Sequence, residues 1–234
     1  MRGAGCVYND IIDSELDKQV HRTSLRPIAS GRISKKVAWF WLFALCGGGI
    51  LVLLQLRLEA KLVALSSLGF IAVYPFMKRI TWWPQVWLGI VFGWGLLVGW
   101  IALRSDNWDA ILAIYVGTAF WIIGYDTIYA LQDREDDALV GIKSSAIRLG
   151  SRVKGGIALF YLCAVLFWLF GFWLYRPDWV ALLTLFPVSI HLFWQVFSLD
   201  QSDPSSALDR FRSNRWAGGL MAIACLVVGN AGAL

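Results

Sequence analysis

The sequence predicts an all-α, polytopic transmembrane helical bundle, and three observations carry that prediction. Of the 234 residues, 58% are hydrophobic and only 16% charged, where a soluble domain carries about 25% charged residues. The apolar residues fall into long runs, with neither a period of 2 nor a stripe at 3.6, and a bilayer core about 30 Å thick needs ~20 such residues per helix. The basic residues, finally, are divided unevenly between alternate connections. With residues 1–36 on the cytoplasmic side, segments 1–36, 78–83, 127–154 and 199–215 hold 17 of the 21 Lys and Arg. The opposite-side loops hold only Arg57, Lys61, Arg104 and Arg176. That is the asymmetry of a membrane protein oriented by its cytoplasmic loops, so the net charge of +5 reflects topology and no nucleic-acid partner is expected. A β-barrel would show alternating strands of ~10 residues, and none occur.

Taken in order, the chain opens on a polar segment rich in carboxylates, "NDIIDSELDKQVHRTSLRP". Seven apolar runs follow, at 37–56, 61–77, 84–103, 108–126, 155–175, 178–198 and 215–233. The first contains "WFWLF" and a Gly triplet at 47–49, and the third starts on Pro84 and contains "GWG" at 93–95. Small residues of this kind are expected to let helices pack closely. The fourth run leads directly into a second acidic segment, "DTIYALQDREDD". Most of the 14 Trp are expected at membrane interfaces, where the indole is half wet and half apolar. A few could flank a carbocation with their ring faces. Cys6, Cys46, Cys163 and Cys225 have no paired or metal-binding spacing and read as small interior residues. His191, alone in an apolar run, receives no role. The chain is expected to form one membrane domain over 1–234, with no obligate protein partner.

The chemistry is expected in the two acidic segments, which hold nine of the 16 carboxylates. Asn9, Asp13 and Asp17 are spaced i, i+4, i+8 and form one stripe on a helix. Asp133 and Asp137 repeat the i, i+4 spacing, with Tyr129 and Asp126 one and two turns earlier. Each segment is followed by a basic stretch containing Gly, "HRTSLRPIASGR" and "GIKSSAIRLGSR". Two copies of one device predict two halves around a shared site. Carboxylates stacked on one helix face repel unless something positive holds them. Facing DxxxD pairs suit hard, oxygen-loving Mg²⁺, which is often shared with phosphates. Arg22, Arg26, Lys78 and Lys143 supply cations for a diphosphate, and such a carboxylate–Mg²⁺–diphosphate–Arg/Lys sandwich would draw electrons toward a leaving group. The plainer alternative, solvated acidic caps on helix ends, suits one such cluster better than two matched ones.

These stretches resemble a known family. "NDIIDSELDKQVHRTSLRPIASG" is similar to the first signature of the UbiA-type membrane prenyltransferases, NDxxDxxxD followed by RTxxRP. "YDTIYALQDREDD" with "GIKSSAIRLG" is similar to the second, and "YPFMKRITWWPQVWLG" at 74–89 to the loop between them. The blocks fit the 4-hydroxybenzoate polyprenyltransferase branch best. Gln132 stands where several other members carry Lys, which also favours that branch. The resemblance extends from residue 1 almost to the end.

It implies a UbiA-like ring of helices, here about seven full spans plus an N-terminal helix stub. A first helix and most of a second would precede Met1, leaving helix 1–17 too short to cross a bilayer unaided. The implied activity is Mg²⁺-dependent transfer of a polyprenyl group from polyprenyl diphosphate to the ring of 4-hydroxybenzoate, a step of ubiquinone synthesis. In this reading Asn9, Asp13 and Asp17 hold one Mg²⁺, and Asp133 and Asp137 a second. Arg22, Arg26, Tyr74, Lys78 and Lys143 contact the diphosphate. Arg2 lies beside the aromatic acceptor, Arg79 pairs with its carboxylate, and Asp126 orients or deprotonates it. The implied location is a bacterial inner membrane, or the mitochondrial inner membrane in a eukaryote, with the site loops on the cytoplasmic side. Three alternatives stay open at this point. One is the same chemistry on another acceptor. Another is a cation-coupled transporter, since intramembrane carboxylates mark ion paths. The third is an inactive truncated fragment.

Overall fold

In the computed structural model, residues 2–104 and 106–230 are described, with Arg2 and Asn230 described in backbone only. Among them every regular element is a helix. The N-terminal segment forms α1 (Arg2–Asp17), and the long apolar helices are α2 (Lys35–Leu54), α3 (Leu58–Ile80), α4 (Pro84–Leu103), α5 (Trp108–Ala130) and α8 (Val153–Tyr175). Two short helices, α6 (Arg134–Val140) and α7 (Ser145–Leu149), lie between α5 and α8; α9 (Trp179–Leu183), α10 (Phe186–Ser198) and α11 (Pro204–Asn230) complete the chain.

Six stretches among the described residues are long and apolar enough to cross a bilayer: Lys35–Leu54, Leu58–Ile80, Pro84–Leu103, Trp108–Ala130, Ser145–Tyr175 and Trp179–Ser198. They match the first six runs read from the sequence, with one internal difference. The run at 178–198 is broken into α9 and α10 at Thr184–Leu185. Pro187, in the first turn of α10, has no N–H for the carbonyl four residues back, and its ring crowds that carbonyl. The seventh run forms the C-terminal part of α11, which begins eleven residues earlier, at Pro204, and carries Arg210, Arg212 and Arg215 in its polar half.

Helix ends follow local chemistry. Ser34 caps α2 by accepting from the Val37 N–H, and Asp178 caps α9 by accepting from Ala181 N–H at 2.8 Å. Asp203 accepts from the N–H groups of Ser205 and Ser206 beside Pro204, the favoured arrangement of an acidic cap before Pro. α6 stops at Gly141, whose φ of 78° places it in the left-handed region that glycine tolerates.

Two apolar clusters hold the helices. The larger is built from α5, α8, α9, α10 and α11 around Ile128, Ile157, Tyr161, Trp168 and Leu192. A smaller one joins α1 to α2 through Ile11, Ala38 and Leu42. α5 is the central helix, packing against α4, α8 and α11. Its approach to α8 depends on glycine. A methyl on Gly117 would stand 2.9 Å from the Ala164 carbonyl oxygen, and one on Gly171 would stand 2.9 Å from that of Ala110. Among the glycines singled out by spacing, Gly47, Gly48 and Gly95 have open space around them, whereas a methyl on Gly93 would meet the Tyr115 ring. Elsewhere the polar tips of interior aromatics are bonded to carbonyls of adjacent helices, as hydrocarbon surroundings require: Trp87 to Phe70 at 2.7 Å, Trp94 to Val63 at 2.8 Å and Tyr115 to Ile90 at 2.9 Å.

Candidate active site

The two acidic segments, more than a hundred residues apart in sequence, meet at one end of the bundle. α1 and α5 both run toward that end, and α3 arrives between them. The irregular stretch after α1 folds over the site: Thr23 Oγ1 donates to the Asp17 carbonyl at 3.0 Å, and the His21 N–H reaches Asp136 on α6 at 3.3 Å. The stretch before α7 is tied down as well. The Lys143 N–H bonds the Lys78 carbonyl at 2.8 Å, and the Ser145 N–H bonds Gln85 Oε1 at 3.1 Å.

The charges form alternating pairs. Asp13 is fully buried and is held by Lys78 Nζ and, at 3.3 Å, by Arg79 Nη2. Arg26 bridges Asp10 and Asp17, each at 3.0 Å. Arg22 grips Asp133 through Nε, at 2.7 and 2.8 Å from its two oxygens, and through Nη2, while Nη1 donates to the Tyr129 hydroxyl at 2.9 Å. Lys143 Nζ donates to the Ile80 carbonyl at 3.1 Å and lies over the Trp82 ring. Burial, with Asp133 alongside, pushes the Asp137 carboxyl up to about 6. It is therefore a group that gains from a cation placed nearby.

A cavity of about 180 Å³ lies among these groups, lined by Asn9, Asp17, Arg22, Arg26, Tyr74, Lys78, Asp126, Asp133, Asp137 and Lys143. Ten of the thirteen residues singled out from sequence thus share one chamber. Asp13 and Arg79 stand just outside it, paired with each other. The side chain of Arg2 lies outside the described residues. Sequence reasoning missed Gln85, 4% exposed, which lines the chamber and joins α4 to the first residue of α7. Its only sequence signal is a lone amide one residue after Pro84, in an otherwise apolar helix start.

Among the described residues no three carboxylates or imidazoles already converge on one metal position, because the carboxylates face Arg and Lys. The donor set nevertheless suits a hard divalent ion. It consists of carboxylates and one amide, with Asp13, Asp17 and Asp133 largely buried, and contains no thiolate or imidazole.

Fold and site together define an integral membrane protein with a polar chamber at one end of a helical bundle, acidic on two helix ends and basic on the segments that cover them. A profile of the UbiA prenyltransferase family matches residues 1–226, and the chain belongs to that family. It is 42% identical over 219 residues to a mitochondrial 4-hydroxybenzoate polyprenyltransferase of Aedes aegypti, covering 93% of this chain and 50% of the relative. With the Homo sapiens protein of the same description it shares 39% over 238 residues, covering 98% and 62%. With 4-hydroxybenzoate geranyltransferase 2 of Lithospermum erythrorhizon it shares 38% over 228 residues, covering 97% and 74%. The chain spans about half the length of the Aedes aegypti relative and of two Drosophila relatives of the same description, 50%, 56% and 55%. The solved apo structure of a UbiA homologue from Aeropyrum pernix K1 has the same fold, with a TM-score of 0.80 over 97% of this chain and 84% of the other at 23% identity.

Proposed function

We propose that the chamber transfers a polyprenyl group from polyprenyl diphosphate to the ring of 4-hydroxybenzoate, at the position ortho to the hydroxyl, with Mg²⁺ as cofactor. The observation that carries the proposal is the convergence of both acidic segments with Arg22, Arg26 and Lys78 on one cavity. Similarity to 4-hydroxybenzoate prenyltransferases over nearly the whole chain supports the choice of substrates. A transporter reading is disfavoured because the carboxylates of the two acidic segments gather at one end of the bundle, and among the described residues none marks a path through it.

Asn9, Asp13 and Asp17 would hold one Mg²⁺, and Asp133 and Asp137 another. The metal would supply positive charge to the departing diphosphate. The chain's own part begins with binding. Arg22, Arg26, Lys78 and Lys143 exchange their present carboxylate and carbonyl partners for diphosphate oxygens, and Tyr74 closes the same wall of the chamber. As the allylic C–O bond breaks, the electron pair leaves with the diphosphate, and the cations stabilise the growing negative charge. The ring carbon of the acceptor then bonds to the allylic cation and gives up its proton. Asp126, in the chamber wall on α5, would orient the acceptor or take that proton. Arg79, 44% exposed and weakly paired with Asp13, is free enough to turn toward the acceptor carboxylate. The excess of Lys and Arg on this end of the bundle supports placing it on the cytoplasmic side of a bacterial inner membrane, or in the inner membrane of a mitochondrion.

The test is product formation from radiolabelled 4-hydroxybenzoate and a polyprenyl diphosphate in membranes containing the chain. A lipid-extractable labelled product that disappears with EDTA and returns with Mg²⁺ is expected. Transfer that persists in EDTA would refute the metal assignment, and release of diphosphate with no labelled lipid product would refute the acceptor.

A further inference from the structure

Neither acidic segment comes from the C-terminal helix, yet that helix reaches the site through aromatic rings. Trp121, Tyr125 and Tyr129 lie at i, i+4 and i+8 on one stripe of α5. α11 lays Phe211 and Asn214, three residues apart, along this stripe. The Phe211 ring centroid stands 4.5 Å from that of Tyr129 and 5.8 Å from that of Tyr125. Asn214 Oδ1 accepts from Trp121 Nε1 at 2.8 Å.

Hydrogen bonds set the height and rotation of α11 against its neighbours, through Trp121 of α5 and through Gln195 of α10, which is itself tied to α8. Gln195, fully buried, accepts from the Tyr161 hydroxyl at 2.7 Å and donates to Ser213 Oγ at 3.0 Å. In an apolar interior such bonds are costly to break, so the register of α11 is firmly held. Phe211 is therefore a fixed wall for the Tyr129 ring. Tyr129 in turn accepts from Arg22 Nη1 at 2.9 Å, with the guanidinium carbon 5.1 Å from the ring centroid. Arg22 sits on an irregular stretch with no helix to orient it. Its other side-chain partner is Asp133, which the proposed function also assigns to the metal. Tyr129 is the contact that serves Arg22 alone.

We propose that Phe211 is a positioning residue for the diphosphate-binding Arg22, acting through the Tyr129 ring, and so couples the C-terminal helix to the leaving-group end of the site. The proposal rests on the prenyl-transfer reading for its consequence in turnover, but not for the physical coupling.

Two measurements test it. The first is a double-mutant cycle, Arg22→Ala against Phe211→Leu, followed by thermal unfolding of the full chain in detergent. Coupling predicts that the double variant loses less than the sum of the single losses, by about 2 °C or more; additive losses would overturn the proposal. The second is kinetic. Phe211→Leu, which keeps apolar volume but not the ring, should raise KM for polyprenyl diphosphate about tenfold, the worth of one hydrogen bond to a charged group, and leave KM for the aromatic acceptor within about twofold. Phe211→Tyr, which keeps the ring, should restore the parent values. Equal rises in both KM values would mean that Phe211 only supports the fold, against the proposal. A parent chain without any turnover would sink the prenyl-transfer reading, and the cycle, which reads no activity, would still decide this one.

Discussion

At the residue scale, spacing and burial sort the carboxylates into two groups. Asp13 is inaccessible and faces two cations, whereas Glu15, two residues on, is 68% exposed and pairs with Lys18 and Lys35 at the surface. Asp13→Ala should lower turnover on the order of 10²–10³-fold, since it removes a ligand of the proposed Mg²⁺ and with it positive charge on the departing diphosphate. Glu15→Ala should stay within about twofold, because Glu15 does not line the chamber and its exposed ion pairs contribute little. Initial rates at saturating substrates, with thermal unfolding of each variant alongside, check this; equal losses at both positions would end the stripe assignment. Arg22 allows a second prediction. Its fork grips both oxygens of Asp133 while another nitrogen reaches Tyr129, and a lysine ammonium cannot reproduce that geometry. Arg22→Lys should therefore weaken polyprenyl diphosphate by about tenfold in KM with the charge unchanged. A variant indistinguishable from the parent would mean that only the charge matters.

At the element scale, α5 carries most of the architecture, and its contact with α8 depends on two positions without a side chain. Gly117→Ala and Gly171→Ala would each drive a methyl against a carbonyl oxygen of the partner helix at 2.9 Å. Backbone cannot step aside as a flexible side chain can, so each should cost about 1–3 kcal/mol. Gly47→Ala, with open space around it, should be neutral or slightly stabilising. Midpoints of thermal unfolding in detergent report the difference, and a loss at Gly47 equal to that at Gly117 would contradict the packing described. The glycine clusters were legible in the sequence, but their partners were not. Gly117 and Gly171 are isolated glycines in apolar runs, and only the α5–α8 crossing shows why they must be small.

At the scale of the whole molecule, alternation of the long helices puts residues 25 and 202 at the site end and residue 106 at the other. The Lys and Arg excess at the site end predicts that it faces the cytoplasm. Single cysteines at Leu25, Ser202 and Asp106, in a background lacking the four native cysteines, should separate in sealed inside-out vesicles. A membrane-impermeant maleimide should label the first two and spare the third. Labelling at Leu25 and Asp106 from the same side would break the topology and, with it, the shared chamber.

The sequence by itself determined the class of fold, because a bilayer accepts only apolar helices of a given length, and six of the runs read from composition appear as spanning stretches. It also singled out ten residues that share one chamber, since i, i+4 spacing puts Asp13 with Asp17 and Asp133 with Asp137 whatever the neighbours are. Only the tertiary structure decided how the charges pair. Arg22 belongs to Asp133, Lys78 and Arg79 to Asp13, and Arg26 to Asp10 and Asp17; the first and last of these depend on where the irregular stretch after α1 falls, and the pairing of Lys78 and Arg79 on how α3 packs beside α1. Gln85 and Phe211 escaped notice for the same reason. Their importance comes from which groups stand opposite them, and helical periodicity along one segment carries no information about the facing segment.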